Sequence, residues 1–145
     1  MPNASKEVVI DRPVDEVFAF LANAENETQW RPGVLDIRKV SGDGAGEVYE
    51  HGVKGPGGRR IPADFEITDY RPNELLAFRT LKGPVRPTGR FELSRDGGGT
   101  RVRFSLDAQL SGPKKWLMGR MVQKTMNAEM DALENLKRVL EARDR

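Results

Sequence analysis

The sequence predicts an α+β domain in which seven antiparallel strands wrap around one long C-terminal helix. From Val34 to Leu110, apolar and polar residues alternate with a period of two, in short runs separated by Gly- and Pro-rich turns. From Pro113 to about Ala142 the period becomes helical, and a helix of about 30 residues is about 45 Å long. A small domain does not need such a helix merely to cap its core. We therefore expect a curved sheet to grip this helix around an internal apolar cavity.

The first thirty residues predict one strand and two short helices. Lys6 to Ile10 is a short run typical of a strand. Asp11-Arg12-Pro13 marks a helix start, because proline fits the first helical turn and the following Asp15 and Glu16 complement its positive end. Asn23 to Trp30 predicts the second short helix.

Six further strands follow, and the tight turns between them predict an antiparallel meander. Their expected bounds are Val34–Val40, Glu47–Lys54, Arg60–Tyr70, Leu75–Leu81, Thr88–Arg95 and Thr100–Leu110. The Gly42-x-Gly44-x-Gly46 spacing resembles a phosphate-binding loop, but a strand follows it where such a loop requires a helix. A hairpin turn explains this spacing better.

The long helix has a broad apolar face with one carboxylate in its middle. At about 100° per residue, its charged residues fall mainly on the opposite face. The apolar face comprises Leu117, Met118, Met121, Val122, Thr125, Ala128, Ala132, Leu133, Leu136, Val139 and Leu140. Glu129 falls within this face, next to Thr125. A carboxylate facing an apolar cavity is costly unless it is paired, protonated or hydrated, which makes Glu129 a candidate acid/base or hydroxyl anchor.

The composition is that of one globular domain spanning residues 1–145. Hydrophobic residues make up 37% and charged residues 32%, which argues against disorder, and the net charge of +2 is spread along the chain without a nucleic-acid-binding stripe. The absence of cysteine excludes disulfides and thiolate metal sites, and with one histidine we expect no metal and no cofactor. Without a signal-like or membrane-spanning run, we expect a cytoplasmic monomer or homodimer with no stable membrane insertion.

Five segments of the chain together carry a family resemblance. They are the run from Val9 to Leu21, the Trp30-Arg31-Pro32-Gly33-Val34 step, Ile67 to Pro72, Gly99 to Val102, and Leu133 to Arg138. In this order they resemble the polyketide cyclase/dehydrase branch of the START-like, Bet v 1-like superfamily, also called SRPBCC. The resemblance runs from about residue 5 to residue 141 and implies a helix-grip fold around an apolar cavity. The family includes lipid and sterol carriers, aromatase/cyclases and hormone receptors, and it has no shared catalytic motif.

His51 is the only histidine, so a Ser-His-Asp arrangement would have to use it. It lies two residues from Tyr49 in a predicted strand, so both rings share one face. If that face is inward, the two side chains would orient a ligand oxygen or move a proton near neutral pH. If it is outward, His51 is a surface histidine near the Gly55 turn.

Glu129 also allows two interpretations. It either faces a ligand, in a network shared with Thr125, or lies at the pocket mouth and pairs with a strand arginine such as Arg79 or Arg90. His51 and Glu129 are therefore the catalytic candidates. The residues expected to line the cavity are Trp30, Tyr49, His51, Phe65, Phe78, Phe91, Phe104, Met121, Thr125 and Glu129.

Three functions are compatible with these expectations. The first is binding or transport of a hydrophobic small molecule, such as a lipid, polyketide or isoprenoid, with affinity derived mostly from apolar burial. The second is an aromatase/cyclase-type enzyme, which needs an inward acid/base within reach of a polyketide-like substrate. The third is a protein interaction module, since some relatives of this fold bind chaperones, and it predicts an exposed apolar patch.

Overall fold

The computed structural model describes residues 2–83, 85–108 and 115–143, with the side chains of residues 56 and 115–118 left out of the description. The expected strand end at Leu110 and helix start at Pro113 lie outside these residues. The elements are β1 (Asn3–Ile10), α1 (Val14–Ala22), a 3-10 helix (Ala24–Gln29), β2 (Val34–Ser41), β3 (Val48–Lys54), a short 3-10 turn (Pro56–Gly58), β4 (Arg60–Pro62), β5 (Phe65–Arg71), β6 (Leu75–Thr80), β7 (Thr88–Asp96), β8 (Gly99–Asp107) and α2 (Lys115–Glu141).

Over the described residues, eight strands rather than the expected seven form one antiparallel sheet. Seven of them follow the order β1-β8-β7-β6-β5-β3-β2, and β4 pairs with β3. The extra strand arises because the expected strand Arg60–Tyr70 divides at Ala63 and Asp64. There, Oδ1 of Asp64 accepts the backbone N–H of His51 at 3.1 Å. A side-chain oxygen thus takes a bond that a backbone carbonyl accepts in a regular ladder, and regular pairing resumes at Phe65.

The segment between β1 and β2 folds as local sequence dictates. Pro13 precedes α1 with φ −60° and ψ 150°, and Asp15 and Glu16 occupy the first turn. The 3-10 helix lies where the second short helix is expected, and its Glu27 is buried. This placement carries a carboxylate from a polar segment into the interior.

The β2–β3 connection explains the spacing of three glycines. Gly42, Gly44 and Gly46 have φ of +87°, +63° and +94°. Residues with a Cβ rarely adopt this conformation, so a turn requires glycine at these positions. The segment joins two paired strands and is a hairpin connection.

α2 packs mainly along β1, and from Ala132 onward it buries the expected residues except Val139, which is partly buried. Among the helix side chains from residue 119 onward, the buried ones are Met126, Met130, Ala132, Leu133, Leu136 and Leu140. Before Ala132 the buried stripe differs from the predicted one, because Met126 and Met130 are buried while Met121, Thr125 and Ala128 are exposed. The side chains of Leu117 and Met118 lie outside the description. α2 therefore turns a small-residue and methionine stripe away from β1.

Five aromatic side chains of the strands, Tyr49, Phe65, Phe78, Phe91 and Phe104, form an aromatic wall on the inner face of the sheet. Trp30, at the end of the 3-10 helix, extends this wall by packing edge-on against Phe91 with ring centroids 6.1 Å apart. Phe91 and Phe104 stack with ring centroids 4.4 Å apart, and Tyr49 stacks on Phe65 at 5.0 Å. Gly89 permits this packing, since a Cβ there would lie 2.4 Å from the ring of Phe78. The antiparallel helix-grip arrangement predicted from the sequence is thus present.

Candidate functional site

A buried cluster of charged groups, the Arg31 cluster, adjoins the aromatic wall and consists of Glu27, Arg31, His51 and Glu129. Arg31 is its centre: Nη1 donates to Oε1 of Glu27 at 2.6 Å, and Nε donates to Oε2 of Glu129 at 2.7 Å. The side chains of Arg31 and Glu27 are 10% exposed and that of Glu129 is 17% exposed. One guanidinium therefore joins the 3-10 helix, the loop that follows it and α2.

The Trp30-Arg31-Pro32-Gly33 step explains why the arginine reaches this position. Glu27 precedes Arg31 by four residues, and the backbone N–H of Arg31 donates to the carbonyl of Glu27 at 2.8 Å. Asn135 of α2 donates to the carbonyl of Trp30 at 3.2 Å. At Gly33 a Cβ would lie 3.5 Å from Oε1 of Glu129. The step is thus docked against α2 by both backbone and side-chain contacts.

One ring nitrogen of His51 is hydrogen-bonded to the backbone, and the other has no hydrogen-bond partner among the described residues. Its Nδ1 lies 3.1 Å from the carbonyl oxygen of Ala63, and because a carbonyl only accepts, Nδ1 carries the hydrogen. Its Nε2 lies 3.4 Å from Oε2 of Glu27. Within the described part of the chain, neither Nε2 of His51 nor Oε2 of Glu27 has a hydrogen-bond partner. A neutral His51 therefore presents a lone pair beside a carboxylate oxygen.

The surroundings set the charge of both basic groups. Burial lowers the pKa of His51 below its ordinary value of 6.5; Glu27 acts against this shift and Arg31 adds to it. Burial alone would lower the pKa of Arg31, but Glu129 and Glu27 outweigh it and raise that pKa. His51 is accordingly neutral at pH 7 and Arg31 is charged. Two carboxylates around one guanidinium make the cluster net negative.

Of the residues predicted to line the site, Trp30, Tyr49, His51, Phe65, Phe91 and Phe104 are buried. His51 faces inward and contacts Phe65 edge-on, with ring centroids 5.1 Å apart. The hydroxyl of Tyr49 donates to Oε1 of Glu47 at 2.9 Å, and burial together with this bond raises the pKa of Tyr49. The polar end of Tyr49 is thus committed to Glu47.

The partner of Glu129 differs from both arginines considered in the sequence. Arg79 pairs with Glu66 and Arg90 pairs with Glu92, whereas Glu129 pairs with Arg31. The exposed Thr125 does not extend the network, because its hydroxyl donates to the carbonyl of Met121 at 3.1 Å within the helix. Met121 itself is 56% exposed.

Sequence reasoning missed Glu27 and Arg31 as members of the site. A usable signal exists: Glu27 and Arg31 have the i, i+4 spacing of an ion pair. It could not show that both side chains turn inward, because that depends on the docking of the 3-10 helix.

Two negative observations apply to the part of the chain that the structure describes. There, His, Asp and Glu side chains form no group of three placed to hold a metal ion. None of the helices described is both long and apolar enough to cross a membrane.

Residues 1–141 match a family model described as polyketide cyclase / dehydrase and lipid transport. The chain belongs to this family. No curated protein matches it.

Solved structures show that this family member shares its fold with diverse proteins. TTHA0849 from Thermus thermophilus has a TM-score of 0.82 at 23% identity, over 99% of this chain and 100% of that one. The ZhuI aromatase/cyclase from Streptomyces sp. R1128 has a TM-score of 0.71 at 16% identity, covering 97% and 96%. A START superfamily protein from Mycobacterium smegmatis has a TM-score of 0.70 at 18% identity, covering 96% and 94%. At these identities the similarity shows the fold alone.

Proposed function

We propose that this polyketide cyclase / dehydrase and lipid transport family member binds a hydrophobic small molecule of the lipid, polyketide or isoprenoid class. The ligand lies between the inner face of the sheet and α2. The observation that carries this proposal is that the aromatic wall lies directly beside the buried Arg31 cluster. The two are in contact through the rings of Phe65 and His51. Such a lining suits a molecule with a large apolar body and a small polar group.

Affinity on this proposal comes from the apolar body of the ligand. Burial contributes about 25 cal/mol per Å² of apolar surface, and the polar cluster fixes the ligand's orientation. The stripe of Met121, Thr125 and Ala128 forms the entrance, since these α2 residues are exposed while the opposite side of the helix packs on β1. Methionine suits an entrance because its side chain adapts to irregular apolar surfaces.

The first experiment is mass spectrometry of an organic extract of the purified protein, compared with an extract of an unrelated protein purified in the same way. A stoichiometric small molecule, specific to this protein, supports the proposal and identifies the ligand class. The position of the entrance is tested by the association rate of a fluorescent apolar probe. Ala128→Trp slows association if the entrance is correctly placed, whereas Glu134→Trp, on the β1 side of the helix, leaves the rate unchanged.

A second candidate function, cyclisation of a polyketide-like substrate, is favoured by the state of His51. A neutral imidazole whose Nδ1–H is held by Ala63 has Nε2 available as a general base. Glu27 beside Nε2 would stabilise the imidazolium after proton transfer. His51→Ala or Glu129→Gln should then abolish turnover of a poly-β-keto substrate while leaving its binding intact. Full activity in both variants would refute these two assignments.

A further inference from the structure

We propose that Glu27 and His51 form a subsite that accepts the hydrogen of a ligand hydroxyl. The bound molecule is then an apolar compound that carries an alcohol, phenol or enol O–H. This inference rests on the proposed binding function and specifies the chemistry of the ligand's polar end.

The first step of the argument is that both facing atoms are acceptors. The hydrogen of His51 is committed to Ala63 through Nδ1, so Nε2 carries a lone pair. Glu27 uses Oε1 to accept from Arg31, which leaves Oε2. The two remaining acceptors lie 3.4 Å apart on side chains that are 5% and 10% exposed. Buried acceptors without a donor are costly, so this arrangement favours a ligand that supplies one.

The second step is that the neighbouring cations are already engaged. Arg31 donates to Glu27 Oε1 and to Glu129. Lys82 lies 3.2 Å from Asp64, the residue that holds the backbone of His51, and Arg60 is bound to Asp36. Within the described residues, the Nε2–Oε2 pair therefore has no donor of its own.

The third step concerns selectivity. A ligand with only a carbonyl or an ether would add a third acceptor to the pair, and a carboxylate would meet the negative charge of Glu27 and Glu129. A hydroxyl satisfies either acceptor and leaves its own oxygen lone pairs directed away. Sites built around such polar groups discriminate strongly against analogues that lack the matching hydrogen.

The test compares 2-naphthol with 2-methoxynaphthalene, which has the same ring system without the O–H, by isothermal titration calorimetry on the full chain. We expect 2-naphthol to bind about tenfold more tightly, which corresponds to one hydrogen bond to a buried acceptor pair. His51→Phe removes one of the two acceptors and leaves Oε2 of Glu27, so it should lower the ratio of the two dissociation constants without abolishing it. Glu66→Gln, which alters a carboxylate paired with Arg79 elsewhere on the sheet, should leave the ratio unchanged.

A second measurement needs no variant and therefore does not depend on the folding of His51→Phe. Because the chain contains one histidine, a ¹⁵N-labelled sample gives one pair of imidazole nitrogen signals. We expect Nδ1 to be protonated and Nε2 unprotonated at neutral pH. The Nε2 signal should move toward the protonated position on addition of 2-naphthol and stay in place with 2-methoxynaphthalene.

The possible outcomes separate the subsite from the binding function. If both probes bind with equal affinity and the Nε2 signal does not move, the subsite is overturned while the binding function stands. If neither probe binds up to its solubility limit, both proposals are overturned. A selective affinity that His51→Phe lowers, together with the selective Nε2 shift, supports both.

Discussion

The two arginines that the described residues bury, Arg12 and Arg31, occupy similar positions but have different partners. Each directly precedes a proline, and each connects the N-terminal part of the chain to α2. Arg12 donates through Nη2 to the carbonyls of Glu141 and Arg143, at 2.6 and 2.7 Å. Arg31 donates instead to two carboxylates.

Arg12 therefore has a structural role at the end of α2, whereas Arg31 belongs to a cluster of titratable side chains. The hydrogen bonds that Arg12 makes to this region go to backbone carbonyls in the last turn of α2 and just beyond it, which lack helical donors and attract positive charge. Because every residue has a backbone carbonyl, these acceptors do not depend on which side chains occupy the end of α2. The ion pair of Arg12, with the partly exposed Glu16, is longer, at 3.7 Å. The partners of Arg31 are specific side chains, and one of them also faces His51. Of the two buried arginines, Arg31 therefore links the docking of α2 to a carboxylate that also faces a titratable imidazole.

The largest effect is expected for Arg31→Met. This change leaves Glu27 and Glu129 buried without their cation, and breaking a buried ion pair from one side costs about 3–5 kcal/mol. Urea denaturation of the wild type and the variant measures the loss in the free energy of unfolding.

The matched control for Arg31→Met is a triple variant that also carries Glu27→Gln and Glu129→Gln. It removes the uncompensated charges and should recover part of the lost stability. A loss below about 1 kcal/mol in the single variant would show that the two carboxylates are well hydrated, and the contrast with Arg12 would fail.

A smaller effect is expected for Arg12→Met. The carbonyls of Glu141 and Arg143 lose charge-assisted donors, but they lie at a helix end where water can replace them. We expect a loss of about 1.5–3 kcal/mol, with faster amide hydrogen exchange confined to the last turn of α2. Arg138→Met on the same helix, where the arginine is exposed, should change neither quantity. Fast exchange throughout α2 would instead make Arg12 a global determinant of stability.

Replacing Glu129 while keeping Arg31 tests how much the burial of an ion pair adds to its contribution to stability. Glu129→Gln retains an oxygen acceptor for Arg31 but loses its charge, and we expect a loss of about 1–2 kcal/mol. Glu134→Gln, on the same helix, removes an exposed pair with Lys6 and should cost about 0.5 kcal/mol or less. Equal losses in the two variants, measured by urea denaturation, would contradict a special role for the buried position.

The sequence predicts the fold well because periodicity reports local burial. The alternation from Val34 onward places the strands, and proline and glycine place most of their ends. The division of the strand Arg60–Tyr70 escapes this reasoning. It depends on the carboxylate of Asp64, at the break between β4 and β5, reaching the backbone of His51 in β3, and no local pattern encodes such a contact.

The candidate site is less accessible to sequence reasoning for a related reason. Glu129 is recognisable, because a carboxylate interrupts an apolar helical face, but its partner Arg31 lies 98 residues away. The sequence pattern likewise does not show that Thr125 is exposed. Two adjacent apolar stripes run along α2, and only the packing against β1 decides that Met126 and Met130 are buried.

The pH dependence of stability gives the smallest effect and tests the charge balance within the Arg31 cluster. Burial lowers the pKa of His51 in the folded chain, so the unfolded chain, with the ordinary value of 6.5, binds this proton first. Stability contributed by neutral His51 is thus fully present above about pH 6.5 and decreases as the pH falls toward the folded-state pKa, by at most about 1.4 kcal/mol per pH unit.

Urea denaturation of the wild type and of His51→Phe at about pH 7.5, 6.5 and 5.5 gives this contribution as the difference between the two proteins. The stability of the wild type relative to the variant should decrease on acidification. An increase would mean that Glu27 outweighs burial and Arg31, so that the folded chain holds the proton more tightly than the unfolded one. In the protonated state Nε2 would then donate its hydrogen to Oε2 of Glu27, and the pair would no longer need a ligand hydroxyl.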